Sequence, residues 1–129
     1  MGEDNKVGTL NSHSILEMLE QVMLQVEYRC FAHLRFNWID PFYKELCLII
    51  AEVFLLNPDS VVKINGTNLP TILVQEIYSQ LRNDHLCLVF ENFKNVSTRI
   101  YNKKAYLRTA LYNSVFEHFA SYTNDINIG

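Results

Sequence analysis

Glycine is scarce in this chain, with Gly2, Gly8, Gly66 and Gly129 the four among 129 residues. A loop that wraps a nucleotide phosphate needs several glycines close together, so that backbone can approach the anion without a Cβ in the way. No such loop is present. Cysteine is nearly as rare: Cys30, Cys47 and Cys87 are odd in number and show no C-x-x-C spacing, which argues against a disulfide framework and against a zinc site. Set among apolar neighbours, all three are expected to be buried thiols in a reducing, cytoplasmic compartment. Long apolar runs are missing too, since the longest, residues 46–56, is interrupted by Glu52 and reaches about half of the ~20 residues a bilayer requires. The opening Met1-Gly2-Glu3-Asp4-Asn5-Lys6 has acids where a secretion signal is basic, so no targeting segment is expected.

Catalytic and metal chemistry find little to work with. His13, His33, His85 and His118 are scattered, none forms H-E-x-x-H, and a lone histidine is more often structural than a ligand. Cys87 with His85 or His118 lacks a third, orienting group. Glu17 with Glu20, and Glu45 with Glu52, have the spacing of surface helix residues. The expectation is a noncatalytic protein without metal or cofactor.

What the chain does have is apolar bulk, 49% hydrophobic and 12% aromatic, enough for one folded domain that needs no disulfide. Residues 1–12 are polar and nonperiodic and read as a disordered lead or linker, leaving 13–129 as a single helical domain. Ile15, Leu19, Val22 and Val26, widened by Leu16 and Met23, predict an amphipathic first helix to about Tyr28. Asp40-Pro41 starts a second, by Asp capping and a proline already at helical φ. Its Leu46, Ile49, Ile50, Val53 and Phe54 leave Lys44, Glu45 and Glu52 only a narrow sector, so this helix is expected to be central, and Asn57-Pro58-Asp59 ends it.

Val61-Val62-Lys63-Ile64, Asn65-Gly66 and Thr67-Asn68-Leu69 predict a small β-hairpin with a type I′ turn. Pro70 then opens a third helix with Val74, Ile77, Tyr78 and Leu81 inward. Asn83-Asp84 ends it and caps a fourth, whose stripe is Leu86, Val89, Phe90 and Phe93. A last helix runs from Asn102 to about Tyr122, with Leu107, Leu111 and Val115 on one side and Ala105, Tyr112, Phe116 and Phe119 on another. The fold class read from these patterns is mainly α, a compact bundle of about five helices with one small β-hairpin near residues 61–69.

Charge is distributed unevenly. Lys94, Arg99, Lys103, Lys104 and Arg108 fall in one window with no acid between Glu91 and Glu117, leaving six basic against fourteen acidic residues elsewhere in a chain of net charge −3. Such separation concerns partners rather than fold. Lys94, Arg99, Tyr101, Lys103, Lys104 and Arg108 are therefore the candidate residues for contact with nucleic acid or a protein partner. On a helix that starts after Asn102, Lys104 and Arg108 share a face while Lys103 points about 100° away from Lys104. The five charges thus form no continuous stripe, and Tyr101, Tyr106 and Tyr112 read as packing or interface residues.

The same window carries a family pattern. Thr98, Arg99, Ile100, Asn102, Lys104, Ala105, Tyr106, Leu107, Leu111, Tyr112 and Asn113, with Val26-Glu27-Tyr28, Lys63-Ile64-Asn65-Gly66 and residues 74–81 and 85–93, resemble the C-terminal domain of replication initiator A proteins from plasmids and integrative elements of Gram-positive bacteria. The run departs from that pattern at Tyr101, Lys103 and Ser114-Val115. The resemblance implies a winged-helix DNA-binding domain upstream, likeness to the DnaD-type helical domains of primosome proteins, and a role in recruiting host replication proteins. Weak direct DNA contact through residues 94–108 is an alternative, and dimerisation of the parent protein is another.

Overall fold

The computed structural model describes residues 12–27 and 39–128, with side chains for 14–27 and 41–117. The expected lead at residues 1–12, Cys30, His33 and the side chains of His13, Asp40, His118 and Phe119 lie outside that description. Among the described residues five helices and one hairpin follow in order: α1 Ser12–Gln25, α2 Ile39–Phe54, β1 Val61–Ile64, β2 Thr67–Pro70, α3 Thr71–Tyr78, α4 Asn83–Lys94 and α5 Lys103–Ile128. The fold is mainly α, as the periodicity predicts. α2 packs against all four of the other helices, and α5 packs against α2, α3, α4 and β1.

Apolar stripes decide which faces go inward. Val22 of α1 and Val26 just past its end, Leu46, Ile50 and Val53 of α2, Ile64 of β1, Val74 and Tyr78 of α3, Leu86 of α4, and Leu107 and Leu111 of α5 are fully buried. Leu16 is not part of the stripe. It is 58% exposed because the inward line runs through Ile15, Met18, Leu19, Val22 and Val26, and Leu16 lies about 100° off Ile15. Cys87 corrects a second expectation: Cys47 is buried but Cys87 is exposed, since the α4 stripe of His85, Leu86, Val89 and Phe90 leaves position 87 on the outer side.

The hairpin forms as read. Val61 pairs with Pro70 and Ile64 with Thr67, around a turn whose Asn65 and Gly66 have φ of 56° and 75°, the left-handed pair that a type I′ turn requires. Pro70 ends β2 rather than opening α3, and serves as its N-cap at φ −58° and ψ 131°. The extended ψ keeps proline outside the helix. Asn83-Asp84 does not cap α4 either. Arg82 is the N-cap, where its N–H donates to His85 Nδ1 at 2.9 Å while the His85 N–H donates to the Arg82 carbonyl at 3.1 Å. Histidine here does the work of Glu in a capping box. At α5 the expected start holds, with the Ala105 N–H donating to Asn102 Oδ1 at 3.0 Å, but the helix continues to Ile128, past the expected end near Tyr122.

Helix ends buried in the bundle would leave carbonyls unpaired. Two glutamines cover them. Gln75 Nε2 donates to the carbonyls of Val53 and Leu56 at 3.0 Å each, closing the end of α2, and Gln25 Nε2 donates to those of Tyr78 and Leu81, also at 3.0 Å, closing α3 onto α1.

Burial pushes the Cys47 thiol up from 9.0 to about 12. It also raises the Tyr78 phenol, against a smaller lowering by Arg108, and the Tyr43 phenol, where the hydrogen bond to Cys87 adds to it. The folded chain keeps these protons at pH values where the unfolded chain has lost them, so stability falls as pH rises between the unfolded and folded values. Urea titrations from about pH 8 to about pH 11 are expected to show a midpoint that falls beyond about pH 9. Cys47→Ala should flatten the first part of that slope; a midpoint flat to about pH 11 would contradict the burial.

Candidate functional site

The carboxyl end of α4, the connection through residues 95–102 and the first turns of α5 bring the basic window against α2. Each lysine of the window meets an acid, on α4 or on α2. Lys94 Nζ lies 3.1 Å from Glu91, one turn back on α4. Lys103 Nζ lies 3.0 Å from Glu45, and Lys104 Nζ lies 3.0 Å from Oε1 and 3.3 Å from Oε2 of Glu52. Glu45 and Glu52 are seven residues apart on α2, nearly in line on one face. Adjacent lysines that diverge by about 100° on α5 therefore reach two points along the neighbouring helix.

The arginines differ. Arg99 makes no ion pair among the described residues; its guanidinium lies over the Tyr101 ring at 5.4 Å, and Tyr101 is 89% exposed. Arg108 has no carboxylate either, and its Nε is buried without a hydrogen-bond partner. Its main-chain carbonyl accepts the Tyr78 hydroxyl at 2.7 Å. Once the three lysines are matched, two positive charges of the five remain unbalanced. The candidate residues thus share a region but not a role.

Beside the lysines a recess of about 340 Å³ opens between α2, α4 and the start of α5, lined by Pro41, Phe42, Glu45, Phe90, Phe93, Lys94 and Lys103. Its wall is aromatic. Phe42 stands 5.6 Å from Phe90 and 5.1 Å from Phe93, centroid to centroid. The ammonium of Lys103 lies 5.9 Å above Phe42 and 5.5 Å above Phe93, and that of Lys94 lies 5.5 Å above Phe90. Cations held over ring faces while paired with carboxylates have their charge used twice within the chain. An apolar side chain of another molecule fits such a recess better than a phosphate does.

Tyr43 donates its hydroxyl proton to Cys87 Sγ at 3.5 Å, and His85 accepts the Arg82 N–H at the α4 cap. Reading the charge window alone missed Glu45 and Glu52. Their signal in the sequence was heptad spacing on an otherwise apolar helix, which names a face but not its occupant.

No helix among the described residues is long and apolar enough to cross a membrane. Surface ion pairs of this kind contribute about 0.2–1 kcal/mol. A double-mutant cycle of Glu52→Gln with Lys104→Met, read by urea unfolding, is expected to return a coupling of that size that shrinks at high salt. A coupling of zero at low salt would mean that the pair does not hold α5 to α2.

Residues 5–129 match the model of a family of unknown function, DUF6017. The chain belongs to that family. No curated protein and no solved structure matches it.

Proposed function

We propose that this member of the DUF6017 family is a noncatalytic interaction module of a replication initiator, recruiting host primosomal proteins. The replication context rests on the resemblance of residues 98–113 and the accompanying pieces to the C-terminal domain of replication initiator A proteins. The choice of a protein partner over DNA rests on one observation, the pairing of Lys94, Lys103 and Lys104 with carboxylates of their own chain. A phosphate backbone approaching these lysines meets three acids beside them, so little counterion release is gained. The aromatic recess and the exposed Tyr101 are features of the kind that anchor protein interfaces, where tyrosine and arginine dominate the binding energy.

The mechanism is scaffolding. A DNA-binding domain elsewhere in the initiator holds the origin, and this domain raises the local concentration of the host machinery through the linker between them. Direct DNA contact is the second reading, favoured by Arg99, which has no ion-pair partner among the described residues and lies over Tyr101 in a way that offers a surface for an exposed base.

One experiment separates the two. The immobilised full chain is presented with purified host primosomal proteins and with single- and double-stranded DNA. Specific retention of a primosomal protein, weakened about tenfold or more by Tyr101→Ala, is the expected result. Retention of DNA alone, falling steeply with salt and lost when Arg99 and Arg108 are neutralised, would establish the second reading instead. Failure to retain any primosomal protein would remove the first.

A further inference from the structure

A different side of α5 opens onto a second recess, of about 260 Å³, whose walls come from three parts of the chain. Tyr106, Thr109, Asn113 and Glu117 form one stripe of α5, at spacings of three and four residues. Asn92 of α4 and Asn65 of the hairpin turn face them, and Ala110 makes a shallow floor. The hairpin is held at this distance by its own backbone, since the Asn65 N–H donates to Thr109 Oγ1 at 3.1 Å. The side-chain amides of Asn65, Asn92 and Asn113 make no hydrogen bond with any described residue.

Three carboxamides without a partner among the described residues, a hydroxyl, a phenol and one carboxylate define the chemistry. A carboxamide is the same group as a peptide unit, with N–H donors and a C=O acceptor side by side, so it pairs with a main-chain N–H and C=O together. No cation lines the recess and Glu117 adds a negative charge, which disfavours phosphates and carboxylates. At about 260 Å³ it falls below the ~300–1,000 Å³ of pockets that enclose a whole small ligand, so it suits part of a longer molecule lying across it. The alanine floor lets a backbone come close.

We propose that this cleft binds the main chain of an extended, uncharged peptide segment of a partner protein, with Asn92 and Asn113 as the principal contacts and Asn65 bounding one end. The inference rests on the reading of the domain as a protein-docking module and places a second contact away from the aromatic recess. Recognition through the backbone leaves the partner's side chains largely unspecified at this point, and the aromatic recess supplies the selectivity.

The test uses the full chain, labelled with nitrogen-15, and probes that carry main chain alone. An N-acetylated, C-amidated pentaglycine is titrated while the side-chain amide resonances of the three asparagines are followed. Its N-methylated counterpart, pentasarcosine, which lacks the N–H donors, is the control. Saturable shifts of Asn65, Asn92 and Asn113 with pentaglycine and none with pentasarcosine are expected. Asn92→Ala and Asn113→Ala should each weaken binding about five- to tenfold, the loss of one hydrogen-bonded pair. The Asn92 side chain is exposed and has no partner among the described residues, so its variant is expected to fold and keeps the test valid even where Asn113→Ala is unstable. Equal shifts with both probes, no shifts at all, or shifts only with adenosine or N-acetylglucosamine would overturn the proposal. No primosomal protein enters this experiment, so its outcome is distinct from that of the recruitment test.

Discussion

Tyr78 joins three helices from one buried position, bonded to Arg108 of α5 and Gln25 of α1. Its ring is fully buried, and a phenol hydroxyl in an apolar interior costs roughly 1–3 kcal/mol if left unpaired. Among the described residues its partner is the main-chain carbonyl of Arg108, at 2.7 Å, in the second turn of α5. Its own carbonyl takes the Gln25 side chain at 3.0 Å. One residue of the eight-residue α3 thereby sets the position of α5 and of α1. Since α5 carries Lys103, Lys104 and one wall of both recesses, the candidate surfaces inherit their geometry from this buried contact.

Charge is organised by packing in the same way. Along the chain the basic window looks like an electropositive segment, but in the fold its three lysines are paired among the described residues, one with Glu91 of α4 and two with acids of α2. Nucleic-acid binders keep their cations free to exchange with counterions. Here three lysines are spent internally, and two of them also cover the aromatic wall of a recess. The result is a recess with an aromatic wall and a rim of paired charges.

The elements were legible because their signals are local. The stripe of α2 predicted a helix with neighbours on most sides, and it touches every other helix among the described residues. Asn65-Gly66 between β-branched runs predicted the hairpin, and its φ values are those the turn needs. Errors fell where two local signals competed. Pro70 suits either a helix start or a strand end, and the pairing of Val61 with Pro70 drew it into β2. Asn83-Asp84 is a good cap by type, yet His85 reaches Arg82 one position earlier. Leu16 and Cys87 looked buried by neighbourhood, but helical phase put them on the outer side.

The sequence by itself determined which faces turn inward, because burial of apolar area is non-directional and is encoded by spacing within each helix. It also determined the turn chemistry, since only certain residues tolerate positive φ. The tertiary structure alone decided which acid meets which lysine and which asparagines share a cleft. Glu52 and Lys104 are 52 positions apart along the chain, and an ion pair or a hydrogen bond depends on separation in space to within an ångström, which no local pattern specifies.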